Sequence, residues 1–133
     1  MEEVKIQIEV EVNPTEDETK VKRAVENVFG SLQFEQEPLR RGSLLIVKAS
    51  GMDVLTKLCN LLRRDRIRDA ARSVMYKGMS GRSIVFYLNK QVACAGHVSF
   101  SQPSGESPLG PIKVEIKCDD PRQIIDWLAP RTS

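Results

Sequence analysis

The sequence predicts an α+β fold: a mostly antiparallel sheet with helices packed on one face, in the order βαββααβββα. Three observations carry that expectation. Apolar residues alternate with polar ones near residues 4–12, 83–88 and 112–118. Between these segments the apolar spacing switches to three and four residues, the period of a helix with one buried stripe. The connections contain Pro, Gly, Asn and Asp at the places where turns and caps need them.

The first strand places Val4, Ile6, Ile8, Val10 and Val12 on one face and Lys5, Gln7, Glu9 and Glu11 on the other. That pattern is a strand with one buried and one wet face. Asn13-Pro14-Thr15 opens a helix with Pro14 or its neighbours in the first turn, where Glu16, Asp17 and Glu18 complement the positive helix end. Val21, Ala24, Val25, Val28 and Phe29 form its stripe, and Gly30 is placed to cap it. Strands over 31–37 and 43–49 flank Pro38-Leu39-Arg40-Arg41-Gly42, a hairpin turn by composition. The second is apolar on both faces at Leu44, Leu45, Ile46 and Val47, which predicts an interior position in the sheet.

Ser50-Gly51-Met52-Asp53 leads into two helices, or one that bends at Arg63-Arg64-Asp65-Arg66. The stripe Val54, Leu55, Leu58, Leu61, Leu62 is out of phase with Ile67, Ala70, Ala71, Val74, Met75. Lys77-Gly78-Met79-Ser80-Gly81-Arg82 turns into a strand over 83–88, and Asn89-Lys90 turns into another over 91–100 with Gly96 as a bulge. Residues 101–110 have linker composition and predict a mobile loop. Ile112, Val114, Ile116 and Cys118 alternate in a last strand. Asp120 and Pro121 then cap a closing helix that packs Ile124, Ile125, Trp127 and Leu128. The 133 residues fit one domain spanning 1–133, with no internal repeat.

Charge is distributed very unevenly. Residues 1–39 carry 10 acidic and 4 basic side chains, a net of −6, and residues 92–133 carry a net of −1. Residues 40–91 carry 12 basic and 3 acidic side chains, a net of +9, and eight of the cations are arginine. An Arg-rich stretch between acidic or neutral segments suggests a face for a polyanion, since guanidinium pairs two phosphate oxygens at once. The alternative is an ordinary solvated helix surface. Arg64, Arg68 and Arg72 recur every four residues, flanked by Arg63 and Arg66. Asp65 and Asp69 can each pair with the arginine three positions on, which leaves several guanidinium groups free. Arg40, Arg41, Lys77, Arg82 and Lys90, with Asn89 beside it, extend the candidate polyanion-binding patch if the fold brings their loops alongside.

Gly78-x-x-Gly81 between basic residues has the spacing of a phosphate-approaching loop, but a plain turn explains it better. Tyr76 and Tyr87 are candidates to stack on bases, while Phe86 and Phe100 fall on buried positions by alternation. Catalysis and cofactors find no support in the motifs. The chain has no Walker loop, no dinucleotide fingerprint, and a single His, so Cys94-Ala95-Gly96-His97 makes at most half a zinc site. Cys59, Cys94 and Cys118, odd in number and set among apolar neighbours, read as reduced thiols. No apolar run is long enough to span a bilayer, and Met1-Glu2-Glu3-Val4-Lys5 lacks a secretory lead. The expectation is a cytoplasmic protein with no membrane or small-molecule partner.

Four segments, Ile67-Arg68-Asp69-Ala70-Ala71-Arg72, Leu88-Asn89-Lys90-Gln91, Pro108-Leu109-Gly110-Pro111-Ile112 and Asp126-Trp127-Leu128-Ala129-Pro130, occur in the order of one family. Together they resemble the small archaeal proteins of uncharacterised protein family 0201, often labelled an RNA-binding domain. The resemblance implies an archaeal source, a fold similar to large-subunit ribosomal protein five, a non-catalytic RNA-binding role and self-association as a homodimer. Recognition of structured RNA through phosphates and 2′-hydroxyls, with little reading of base sequence, is the function the sequence favours. Its rival is an assembly module, in which the acidic face of the first strand (Glu9, Glu11) meets the basic helices of a second copy without nucleic acid.

Overall fold

The computed structural model describes residues 3–101 and 110–131. The family-like Pro108-Leu109 and most of the predicted 101–110 loop lie outside the described residues. The order along the chain is β1 (Lys5–Val12), α1 (Glu18–Phe29), β2 (Glu35–Pro38), β3 (Ser43–Ser50), α2 (Asp53–Arg64), α3 (Arg68–Lys77), β4 (Met79–Ser80), β5 (Ser83–Leu88), α4 (Lys90–Cys94), β6 (Phe100–Ser101), β7 (Ile112–Lys117) and α5 (Pro121–Leu128). It is an α+β fold whose strands pair antiparallel in the order β2-β3-β1-β7-β5-β4, with β6 also on β5.

Alternation in the sequence sets the two faces of this sheet. Ile6, Ile8, Val10 and Val12 of β1 pair laterally with Ile116, Val114 and Ile112 of β7 and with Ala49, Val47, Leu45 and Ser43 of β3. The helices cover this side, and Val25, Val28, Leu58, Leu62, Met75, Ile125 and Leu128 join the strand residues in a buried cluster. The other face carries Lys5, Gln7, Glu9, Lys48, Lys113, Glu115 and Lys117. β3 lies between β1 and β2, as its two apolar faces require. The edge strand β2 is exposed throughout and ends at Pro38, whose missing N–H is tolerated at an edge.

Three local expectations need correction. α1 begins at Glu18, with Asp17 as its cap accepting from the Thr19 N–H. Glu16 stays outside the helix and turns back to accept from both the backbone and side-chain nitrogens of Asn13. The strand expected over 91–100 is instead the short helix α4, followed by the two-residue β6. Asn89 caps α4 by accepting from the Val92 N–H, and Asn27 of α1 donates to the Ala93 carbonyl. Packing against α1 thus overrides the strand propensity of a segment too short to show helical spacing. Gly96, at φ 84°, closes that helix and is no bulge. The basic helical region is two helices, the first of the two forms the sequence allowed, because the chain turns at Asp65–Ile67.

That turn is unusual. The Ile67 N–H bonds to the Leu62 carbonyl and the Arg66 N–H to the Arg63 carbonyl, the paired pattern that ends many helices with a left-handed residue. Glycine normally takes the left-handed place; here it is Arg66, at φ 57°. Gly78 illustrates the opposite need: a Cβ there would collide with the Val85 carbonyl, so the glycine lets α3 end directly on β5. The Gly-x-x-Gly segment is therefore a helix end and a tight hairpin turn between β4 and β5. Among the described residues no helix is long and apolar enough to cross a membrane.

Candidate nucleic-acid interface

The ends of α2 and α3 bring three of the predicted arginines together. Arg63 from the last turn of α2, Arg66 from the turn and Arg68 from the start of α3 line one surface depression with Asp69. Next to it, and also lined by Asp69, lies a second depression formed by Arg72, Ser73 and Tyr76 of α3 together with Arg122 of α5 and Arg131 beyond it. Arg63 bonds to the Asn60 side chain at 3.4 Å. Among the described residues no ion pair joins Arg63, Arg66, Arg68, Arg122 or Arg131 to a carboxylate. Five guanidinium groups thus stand with most of their donors unused on one side of the molecule.

Arg64 and Arg72 are committed to the protein itself. The stripe Arg64, Arg68, Arg72 is broken because Arg64 belongs to α2 and the other two to α3. Arg64 bonds to Asp65 at 3.0 Å and to the Gly96 carbonyl at 2.7 Å, pinning the α4–β6 connection onto the end of α2. The Arg64 hydrogen bond, against the upward push of burial and aided by His97 and the Val98 N–H, holds the Asp65 carboxyl below its ordinary 3.8. Asp65 therefore pairs with Arg64 and His97, where the sequence suggested Arg68. Arg72 lies in the seam between α3 and α5, with its side chain only 18% exposed. It bonds to Asp126 at 2.6 Å and to the Ala129 carbonyl at 3.2 Å, and lies over the Tyr76 ring. Much of its charge is neutralised in place.

Lys90 and Asn89 are engaged inside the fold. Lys90 is 2% exposed, so it is removed from any RNA contact. Its Nζ donates to the Glu11 carbonyl at 2.7 Å and to Glu16 at 3.0 and 3.2 Å. Burial pushes the Glu16 carboxyl up, but hydrogen bonds from Asn13 and Lys90 outweigh it and leave the group below its ordinary 4.5. Asn89 is spent as the α4 cap. Lys77 ends α3, nine residues or about 14 Å from Arg68. Arg82 faces Asp119 at 3.8 Å in the β4–β5 turn. The sheet register places that turn at the Lys5–Lys117 end and Arg40-Arg41 at the opposite end, on the opposite edge. Strand spacing and rise put these corners roughly 25–30 Å apart.

Sequence reasoning missed Arg122 and Arg131, because their third of the chain is acidic on balance. It also placed Trp127 in the core, whereas the residue is 40% exposed. The signal was present: Pro121, Ile124, Ile125 and Leu128 complete an i, i+3, i+4, i+7 stripe, and Trp127 falls off it. Of the other aromatic candidates, Phe86 is buried with Phe100 edge-on at 5.8 Å, and Tyr87 lies half-buried on the open sheet face beside Lys113. His97 is exposed, 3.3 Å from Asp65, and among the described residues no group of three His, Cys, Asp or Glu side chains is placed to hold a metal.

A family model described as RNA binding matches residues 5–118. The chain is 47% identical over 130 residues to a UPF0201 protein of Pyrobaculum neutrophilum, covering 97% of this chain and 91% of that protein. It is 45% identical over 129 residues to a UPF0201 protein of Sulfurisphaera tokodaii, covering 97% and 89%. Among solved structures it is similar to the crystal structure of a UPF0201 protein from Methanococcus jannaschii. That match has a TM-score of 0.85 and 37% identity, and covers 97% of this chain and 95% of the other.

Proposed function

Because this chain belongs to the UPF0201 family of archaeal proteins, whose matching model is described as RNA binding, we propose that it is a non-catalytic RNA-binding protein. It grips the phosphate backbone of structured RNA through Arg63, Arg66, Arg68, Arg122 and Arg131, with little dependence on base sequence. The observation that carries this reading is the gathering of these five arginines, drawn from α2, the α2–α3 turn, α3, α5 and the segment after it, around two adjoining depressions, where among the described residues no ion pair joins them to a carboxylate. Charges left unpaired on one surface repel one another at some cost to the fold, and a polyanion relieves that cost. Arg66 adds to the argument. It occupies a left-handed position that costs an L-residue about 1 kcal/mol or more, at a site where glycine is the usual solution.

Binding of this kind has a Kd of roughly 10⁻⁴–10⁻⁶ M at physiological salt and weakens steeply with added salt. Five phosphate contacts give log K against log salt a slope of about −4. The test is a titration of a structured RNA by the wild type and by Arg66→Glu/Arg68→Glu at several salt concentrations. The variant is expected to lose affinity at least tenfold and to shift the slope toward zero by about 2, with an unchanged thermal midpoint. Equal affinity of the two proteins, or binding indifferent to salt, rejects the proposal.

The assembly reading has a weaker footing. Glu9, which was to face the basic helices of a second copy, lies 4.0 Å from Lys113 of its own sheet, and Lys5, Lys48 and Lys117 share that face.

A further inference from the structure

One large apolar side chain stands exposed on α5, the helix that also carries Arg122. Trp127 is 40% exposed, although tryptophan is among the most buried residue types on average. Its segment is held firmly. α5 packs against both α2 and α3. On the α2 flank the Cys59 Sγ donates to the Trp127 carbonyl at 3.5 Å. On the α3 flank Arg72 grips Asp126 and the Ala129 carbonyl, the residues on either side of the Trp127–Leu128 pair. Exposure of the indole therefore follows from its place on the helix and not from a loose terminus. Arg63 follows Cys59 by one turn on the same flank of α2, and Arg122 lies on the opposite flank of α5 from Trp127.

We infer that Trp127 is a stacking platform for an unpaired RNA base whose neighbouring phosphates are held by Arg63 on one side and Arg122 on the other. An aromatic face between cations is the arrangement that binds unpaired strands, in which backbone charge and base stacking alternate. A protein partner fits less well: interface cores are depleted of charge, and the exposed flanks that border the indole carry Arg63 on α2 and Arg122 on α5. The inference rests on the RNA-binding reading above and narrows its ligand class to RNA with unpaired nucleotides beside a helix, such as an overhang, bulge or loop. In a continuous A-form duplex the base faces are stacked on one another and out of reach.

Trp127 is the chain's sole tryptophan, so its fluorescence reports this site alone. The 133-residue protein is titrated with a blunt RNA duplex and with the same duplex carrying a short single-stranded overhang. The overhang RNA is expected to quench the emission and to bind about tenfold or more tighter than the blunt duplex. Trp127→Ala should abolish that difference while leaving blunt-duplex affinity unchanged, and Trp127→Phe should keep part of it. If both RNAs bind alike without quenching, the stacking role is overturned and the backbone reading stands. If neither binds, both fall. Quenching that grows with protein concentration in the absence of RNA, together with a dimer by light scattering, would reassign the indole to self-association and overturn the inference. Should Trp127→Ala fail to fold, the wild-type comparison of the two RNAs decides alone.

Discussion

Replacing Lys90 by methionine tests whether the cation that sequence places in the RNA site is in fact a structural strut. The Nζ of Lys90 is enclosed, with the Glu11 carbonyl at 2.7 Å and the Glu16 carboxylate at 3.0 Å. Lys90→Met keeps most of the volume and removes the charge. Glu16, whose own side chain is 10% exposed, is then left as a buried anion held by Asn13 alone among the described residues. Breaking a buried pair from one side costs about 3–5 kcal/mol, a large part of a stability of roughly 5–15 kcal/mol. For a chain of this size that lowers the thermal midpoint by about 10 °C or more. The penalty must also depend on pH. In the wild type the Glu16 carboxyl lies below its ordinary 4.5, so the pair's stabilisation is present above pH 4.5 and is lost as pH falls through the folded-state value. In the variant, burial without Lys90 favours the protonated acid, so the deficit should shrink as pH drops from 7 towards 3. Urea unfolding of both proteins at pH 7 and pH 3.5, with RNA affinity measured at pH 7, is the assay. A loss below about 1 kcal/mol at pH 7, or a deficit that is the same at both pH values, would refute the reasoning. So would tight RNA binding lost with the fold intact.

Two further substitutions separate stability from binding. Arg66→Gly relieves the left-handed strain, worth about 1 kcal/mol or more, against about 0.5–1 kcal/mol for the added freedom of the unfolded chain. The midpoint in urea should stay level or rise while RNA affinity falls severalfold, and a destabilised variant with unchanged affinity would contradict both parts. Arg40→Glu/Arg41→Glu alters net charge by the same four units as Arg66→Glu/Arg68→Glu, but in the β2–β3 hairpin, outside the two arginine-lined depressions. Filter binding at low salt should show a far smaller loss than at the helical site, and equal losses would mean that general charge governs affinity.

How much of this was legible without coordinates varies by element. β1, β5, β7 and α5 follow from alternation, helical spacing and the Asp120-Pro121 cap, because those signals lie within a few residues of one another. The 90–101 segment was misread because α4 has five residues, fewer than two turns, and Ala93 is fixed by Asn27 of α1, 66 positions away. The candidate site shows the same division. Arg63, Arg66 and Arg68 cluster because they are close in sequence, while Arg122 and Arg131 reach that surface only through the packing of α5 on α3.

From its sequence alone this protein is committed to an antiparallel sheet, a helical cover on one side and an excess of arginine in the middle of the chain. Period and composition are local properties, and local properties survive any tertiary arrangement. Which of those cations remain available for a partner was decided by the fold. Lys90 meets Glu16 across 74 positions, Arg64 meets Gly96 across 32, and Arg72 meets Ala129 across 57. A charge is free or spent according to what lies within a few ångströms of it, and only the folded chain sets those distances.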